Sequence, residues 1–570
     1  MRFKRRRAAV SVRAISGTHV VILGIDIDQA KTSDLLGFAI KRIDHTENES
    51  YWLQGMRTFK ESYPNPPDGA QVSTYEHPIQ DFLWSDFTAK PEHRYTYDVV
   101  PVRGTPRNLK YGDGVSIKVT TEAENDGVHS VYFNRGVIGS QAYVRRFGDR
   151  DPRKLQGAER IEAYAWLSRG LEEAMLAFIR QANSPGYALR AAVYEFDWTP
   201  MSEAFQVALK KCKDVQIVYD HRIPGGKKGV DNRKRVAAAE KQLRDSGLLA
   251  VSTPRRQNPG YISHNKFIVL LKDNVPTAVW TGSTNFTESG IFGQSNVGHV
   301  VRDKTVARAY YDYWERLAKD PLVRPLRTAN EGASPTLTKF PPPSGTSTIF
   351  SPRARLAQLE WYANALSQRT NCPPKTLDCF TAAFGVNKVF MLVFTRRESY
   401  LRYVFLEKWA IKAADARKTQ TALSKDPLVQ VAVGAVLSKG EYPGWFAELL
   451  NPLSTYVRFT HNKFELSDAL GEDPIVVSGS ANFSDASTTN NDENMLVIRG
   501  DKRVSDIYLG EYMRLWRHYH FRSIVKKHNK TTGTEEHNYL CPDGTWTKAF
   551  YARGSIKAKG RVTFCRAIDA

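Results

Sequence analysis

The sequence predicts an α/β protein: two αβα half-domains forming one pseudo-twofold unit, preceded by a small β-sandwich. Three observations lead there. A pattern of histidine, lysine, serine and asparagine is written twice at one internal spacing. Around each copy, amphipathic helices alternate with short apolar strands. The chain before the first copy consists of short β-type runs separated by Pro- and Gly-bearing turns. A chain of 570 residues also exceeds what one core accommodates, so several domains are expected.

Residues 8–125 carry the β-type runs Val20–Leu23, Gly37–Arg42, Tyr95–Val100 and Val115–Val119. With the Tyr95, Tyr97, Val99 alternation they resemble a fibronectin type III-like domain, a module that binds or positions a partner. The basic tip Met1–Arg7 reads as disordered or phosphate-contacting. Arg13, Asp26 and Asp28 interrupt the apolar stretch behind it, so no signal peptide or membrane span is read.

The first half-domain is placed at 126–330. Its helices read at Glu172–Asn183 and Ser202–Lys211, and its strands at Ala191–Trp198 and Val215–Asp220. A basic patch follows, with Lys227, Lys228, Arg233, Arg255 and Arg256 as candidates for guiding an anionic substrate. Residues 331–350, rich in Pro, Ser, Thr and Gly, read as a linker. The second half-domain, 351–525, shows a helix at Leu356–Leu366 and strands at Cys379–Val386 and Tyr400–Phe405. Each half ends on a helix, starting at Asp303 and at Asp501, in which Trp314 and Trp516 are core candidates. An aromatic extension, 526–570, is expected to dock on the second half.

The repeated pattern carries the chemistry. His264, Lys266, Gly282, Ser283 and Asn285 recur as His461, Lys463, Gly479, Ser480 and Asn482; the copies lie 197 residues apart (264 to 461), with 18 residues from His to Gly in each. Imidazole titrates near neutrality and can attack phosphorus or shuttle protons. Ammonium, hydroxyl and carboxamide groups suit the non-bridging oxygens of a phosphate. Two such half-sites facing each other would bring two imidazoles to one phosphate, with no metal or cofactor required.

These residues resemble the signature of the phospholipase D superfamily, His-x-Lys-x4-Asp followed by Gly-Ser-x-Asn. The second copy matches fully, with Asp468 in place; the first has Leu271 instead. The resemblance implies two phospholipase D-like halves and a metal-independent phosphodiester hydrolase working through a phosphohistidine. It makes His264 the nucleophile and His461 the general acid. Lys266, Lys463, Asn285 and Asn482 hold the phosphoryl oxygens, assisted by Ser283 and Ser480. It also implies that Glu493, in the segment Asn491–Ile498, supports His461, whereas Gln294–Val297 offers His264 no acid. A carboxylate there would make His461 the more basic ring, which argues against the family order of roles.

Phospholipase D-type hydrolysis of phospholipid is one expectation and a nuclease acting on DNA or RNA the alternative; a non-catalytic polyanion binder is the third. The net charge of +21 fits a nucleic acid or a peripheral contact with an anionic membrane. Cys212, Cys372, Cys379, Cys541 and Cys565 lack zinc-type spacing, so reduced thiols and a cytoplasmic setting are expected. One chain suffices for a complete site.

Overall fold

The two copies of the motif stand in two seven-stranded sheets of the same strand order. Across the first sheet run His129–Phe133, Val297–Val301, Val275–Gly282, Lys266–Lys272, Tyr187–Val193, Val215–Asp220 and Ser252–Arg255. Across the second run Gly345–Ser351, Glu493–Arg499, Ile475–Gly479, Phe464–Ser467, Leu377–Ala382, Leu401–Leu406 and Val429–Val433. In both, the motif strand is antiparallel to its two neighbours, and the three strands beyond it pair in parallel. The computed structural model describes residues 1–223, 228–257, 261–367, 375–409, 413–442, 444–529 and 539–565.

Strand alternation places the core. Phe267, Val269 and Leu271 of the first motif strand point into a cluster shared with Phe464 and Leu466 of the second. Tyr310 and Tyr313 of helix Lys304–Ala318 join this cluster, as do Tyr508 and Tyr512 of helix Lys502–Asn529. The halves therefore share one inner core, with these two helices between the sheets. Ile268 and Leu270 face an outer layer instead, covered by the helices of the first half. Phe267 and Phe464 are both fully buried, and each side chain contributes roughly 2 kcal/mol by area. Trp314 and Trp516 are buried too; the Trp314 ring N–H donates to Ala191 O at 3.0 Å, and Trp516 stacks on Tyr403 at 4.4 Å.

The N-terminal part forms two sheets around a common core. Arg2–Arg7, Val10–Ser16, Val21–Ile27 and Leu83–Asp86 make one; Leu35–Asp44, Glu49–Trp52, Arg94–Thr105, Asn108–Tyr111 and Val115–Thr120 make the other.

Three expectations are corrected. The basic tip is an ordered strand rather than a disordered one: Arg2 reaches Asp506 at 2.9 Å and the carbonyls of Ala469, Leu470 and Gly471, while Lys4, Arg5, Arg6 and Arg7 stay exposed. The expected linker is structured at both ends, where helix Val323–Ala333 runs into it and Gly345–Ser351 closes it as the edge strand beside Glu493–Arg499; residues 334–344 between them form no helix or strand. Composition misled there, since an edge strand tolerates Gly, Ser and Thr. The C-terminal extension docks chiefly on the sandwich. The Trp546 ring N–H donates to Leu35 O at 2.7 Å, the Tyr551 hydroxyl donates to Ile27 O at 2.6 Å, and Phe550 enters the sandwich core. The second half already covers its outer sheet face with its own helices, whereas Phe38 and Phe82 leave the sandwich an aromatic surface to fill.

Cys212, Cys379 and Cys565 are buried free thiols and Cys541 is partly exposed; Cys372 lies outside the described residues. Among the described residues, no helix is long and apolar enough to cross a membrane.

Candidate active site

The two histidines sit just ahead of the motif strands, where each half hands a loop to the other. His264 N donates to Asp492 O at 2.9 Å, and His461 N donates to Ser295 O at 3.0 Å. In return Asp492 N donates to Ile262 O and Ser295 N to Phe459 O, both at 3.0 Å. Every one of these residues has its counterpart 197 positions on. Two single β-bridges, Ser263 with Asp492 and Ser295 with Thr460, thus stitch the half-sites together. A carboxylate behind each loop caps its amides. Asp220 accepts from Ser263 N at 2.7 Å, while Glu407 accepts from Arg458, Phe459 and Thr460 N at 2.7–2.9 Å.

The serines lock the same junction. Gly282, at φ +134°, and Gly479 approach Val297 O and Asn494 O so closely that a Cβ would collide with them. That approach lets Ser283 N reach Val297 O at 3.0 Å and Ser480 N reach Asn494 O at 2.9 Å. Ser283 Oγ then donates to Asn296 Oδ1, and Ser480 Oγ to Glu493 Oε2, both at 2.7 Å. The serines here hold the histidine partners rather than the open space between the rings.

The histidine partners cross between halves, and this corrects the sequence reading. Glu493 belongs to His264: both its oxygens lie 2.9 Å from Nδ1. His461 Nδ1 faces Ser283 O at 3.0 Å and Asn296 Oδ1 at 3.1 Å. Asn296 Nδ2 donates to Gly290 O at 2.7 Å, which fixes Oδ1 toward the ring. Carbonyl oxygens only accept, so His461 carries its hydrogen on Nδ1 and turns Nε2 to the site. Glu493 and Asn296 are positional equivalents, and each serves the opposite motif because the loops are exchanged. The carboxylate thus backs the first-motif histidine, which removes the conflict with the family order of roles.

The imidazole rings lie 6.4 Å apart, centroid to centroid, at 75°. Lys266 Nζ and Lys463 Nζ each donate to the carbonyl of their own histidine at 2.6 Å. Both lysines and both histidines are buried. Burial, then Lys266 and Lys463, hold His264 well below the usual imidazole range. His461 is lowered likewise by burial, then by Lys463 and Lys266. Burial brings Lys266 down to about 8 against the support of Glu493, Glu195 and Asp220, and lowers Lys463 further. Burial raises Glu493 to about 8, opposed by Lys266, Ser480 and Lys463. Two ammoniums and two imidazoles gathered around Glu493 and Glu195 make a cluster chemically suited to an anionic group.

Asn285 and Asn482 are not equivalent. Asn285 Nδ2 donates to Glu195 Oε2 at 2.6 Å, a carboxylate that the second half replaces by Phe384; Oδ1 of both asparagines lacks a partner among the described residues. Glu195 belongs to no motif and escaped the sequence reading. So did Tyr194, whose ring meets His264 edge-on at 4.8 Å and lies 5.1 Å from Lys266 Nζ.

Asp468 stands away from the histidines. At φ +52° it accepts from Thr376 N and Oγ1 at 2.9 Å, a brace between strands; the corresponding Leu271 is inner-core filler. Arg255 is also corrected: it is buried and bridges the halves, to Asp492 at 3.0 Å and Asp320 at 2.6 Å, so it cannot meet substrate. Arg233 and Arg256 are exposed, while Lys227 and the side chain of Lys228 lie outside the described residues. Asp44, Glu47 and His93 come close enough for one cation, but in the sandwich, where His93 Nδ1 lies 2.8 Å from Asp44 and Lys90 pairs with Glu47.

No protein-family profile matches the chain, and no curated protein matches it. Solved structures do. A polyphosphate kinase from Porphyromonas gingivalis is similar over 59% of this chain at 13% identity and a TM-score of 0.34; the match spans 46% of that longer protein. Nuc, a phospholipase D family member from Salmonella typhimurium, matches 25% of this chain and 84% of its own length at 26% identity and a TM-score of 0.19. A phosphatidylserine synthase from Haemophilus influenzae Rd KW20 matches 66% of this chain and 94% of its own at 11% identity and a TM-score of 0.41.

Proposed function

We propose that the chain is a phosphodiester hydrolase of the phospholipase D superfamily, acting without a metal through a phosphohistidine on His264. The observation that carries this reading is the facing pair of imidazoles, each pinned at Nδ1 and flanked by a buried lysine. With Nδ1 engaged, Nε2 is the nitrogen each ring offers to phosphorus.

In the first step His264 Nε2 forms a bond to phosphorus. The bond to the leaving alcohol breaks, and that oxygen takes a proton from Nε2 of His461, which enters this step as the imidazolium, protonated on both nitrogens beside the bound phosphate anion. Positive charge left on the phosphorylated imidazole is met by the Glu493 carboxylate. In the second step water loses a proton to His461 Nε2 and attacks phosphorus; the P–N bond breaks, freeing His264 and a phosphomonoester. Lys266, Lys463 and Asn482 hold the phosphoryl oxygens as charge develops. Asp468 acts as a structural brace.

The test is an assay in excess EDTA with labelled single-stranded DNA, RNA, duplex DNA and phospholipid vesicles. Turnover of one class should persist in chelator and vanish in His264→Ala. Quenching in base should trap phosphate on His264; a strict need for added divalent cation, or label on His461, overturns the assignment. Which class turns over decides between phospholipid and nucleic acid.

A further inference from the structure

The two half-sites differ where the strand beside each motif strand, Tyr187–Val193 and Leu377–Ala382, runs out at its C-terminal end. Ala192 pairs with Phe267 in the first sheet and Thr381 pairs with Phe464 in the second. Three residues beyond these equivalent positions stand Glu195 and Phe384. One half therefore presents a carboxylate at the lip and the other an aromatic ring, 40% exposed, with Lys408 Nζ 6.0 Å above it.

Glu195 is tied into the site. Its Oε2 takes the Asn285 amide at 2.6 Å, which leaves Asn285 Oδ1 without a partner on a side chain only 6% exposed. An orphaned acceptor buried next to a carboxylate is costly unless a donor arrives. Phosphate brings only acceptors, and the lysines already serve them. Asp197 lies close to both Glu195 and Glu288, so carboxylates gather at this lip; burial raises the Glu195 pKa, and Arg235 and then Lys266 hold it down. In-line attack from His264 sends the leaving alcohol toward His461 and the second half. The alcohol that stays on phosphorus is then the one that can lie along Glu195.

We propose that Glu195 determines substrate specificity: together with Asn285 Oδ1 it accepts hydrogen bonds from a hydroxyl or ammonium on the alcohol retained on phosphorus. This rests on the phosphodiesterase reading above. The anionic acceptor ranks an ammonium ahead of a hydroxyl and both ahead of a plain alkyl chain. On the Phe384 side the orphaned Asn482 Oδ1 has no carboxylate beside it, so the leaving group there meets only a neutral acceptor.

The test uses three p-nitrophenyl phosphodiesters whose second substituent is propyl, 3-hydroxypropyl or 3-aminopropyl. Wild type should favour aminopropyl over propyl at least tenfold in kcat/KM, with hydroxypropyl between. Glu195→Gln, which keeps size and one acceptor, should shrink the aminopropyl-to-propyl ratio about tenfold, and Glu195→Asp should retain most of it. A wild-type ratio near one, or a ratio unmoved by Glu195→Gln, overturns the proposal. If wild type cleaves none of the three, the phosphodiesterase reading fails, and binding decides: the thermal shift given by 3-aminopropyl phosphate should exceed that of propyl phosphate in wild type and match it in Glu195→Gln. Equal shifts in wild type overturn the proposal on that arm too.

Discussion

The first-motif half-site and its second-motif counterpart share a scaffold almost bond for bond, yet they hold different charges. Loop exchange, serine locks and lysine-to-carbonyl bonds repeat at an offset of 197 residues. What is not repeated is the acid. Glu493 backs His264 where Asn296 backs His461, and Glu195 holds Asn285 where the second half has Phe384. Duplication supplies the geometry, and substitution at a few positions divides the labour. A carboxylate-backed imidazole is the better nucleophile because its developing cation is compensated, while an amide-backed one gives up a proton more readily.

The division is broken most severely by removing the rings. His264→Ala should lose about 10⁴-fold or more in turnover of every ester, because no step precedes attack. His461→Ala should lose as much on alkyl esters but far less in the first-step burst with p-nitrophenyl esters, whose leaving group needs no proton. Stopped-flow release of p-nitrophenol reads the difference; equal losses in the burst would mean that the two rings do not divide the roles this way.

The next effect concerns the partners. Glu493→Gln should cost about 10²- to 10³-fold and Asn296→Ala nearer tenfold, since only the first removes a charge that compensates the phosphohistidine. The nucleophilic form has His264 donating Nδ1–H to an ionised Glu493. With Glu493 raised to about 8, kcat/KM for p-nitrophenyl esters should climb with pH and level off above 8. Glu493→Gln should flatten that climb. A climb that survives the substitution would assign the titration to another group.

Much of this was legible beforehand, and the failures have physical causes. The motif residues, the alternation of helix and strand, and the burial of Trp314 and Trp516 follow from spacing and periodicity, which are local. The partner of His264 was misread because sequence proximity put Glu493 in the second half with His461, whereas the loops cross. Asn296 stood in plain view at the equivalent position, and reading the repeat register as reciprocal would have found it. Glu195 left no such sign: it lies outside the repeated motif, its counterpart in the second half is Phe384, and only the end of strand Tyr187–Val193 brings it to Asn285. Arg255 looked like part of a solvated basic patch, since sequence cannot show that Asp492 and Asp320 enclose it.

The lysines sharpen the comparison through stability. Glu493 and Glu195 support both buried ammoniums and Asp220 supports Lys266 besides, while Lys463 is held well below the usual lysine range by burial and then by Lys266. An ammonium whose folded pKa lies below its unfolded value of about 10.4 binds its proton less well folded than unfolded. Its cost is complete below the folded pKa and fades as pH rises toward the unfolded one. Lys463→Met should therefore stabilise the unliganded protein at pH 7 by on the order of 1–2 kcal/mol. Lys266→Met should gain less, and both gains should shrink by pH 10. Denaturant melts at the two pH values check this; destabilisation by Lys463→Met would show that the site's cations are better compensated than their burial implies.

The smallest expected effect is the most direct test of the asymmetry. Asn296→Asp keeps the one oxygen that faces His461 Nδ1 at 3.1 Å and accepts from Ser283 Oγ at 2.7 Å; it gives up the Nδ2 bond to Gly290 O and adds a negative charge. It should raise the His461 pKa by about one unit, as an adjacent carboxylate does for an imidazolium. Burial lowers His461 in the native protein, and the Ser283 carbonyl alone opposes that shift. An isotope-labelled histidine titration, with His461 assigned by its own substitution, reads the change directly. The raised pKa should also slow alkyl ester cleavage, because the acid now holds its proton more tightly, and leave the p-nitrophenyl burst nearly untouched. A His461 titration that does not move would mean that the Asn296 side chain is not felt by the ring. The contrast between the two histidines would then rest on Glu493 alone, at 2.9 Å from His264 Nδ1, and the amide behind His461 would have no part in it.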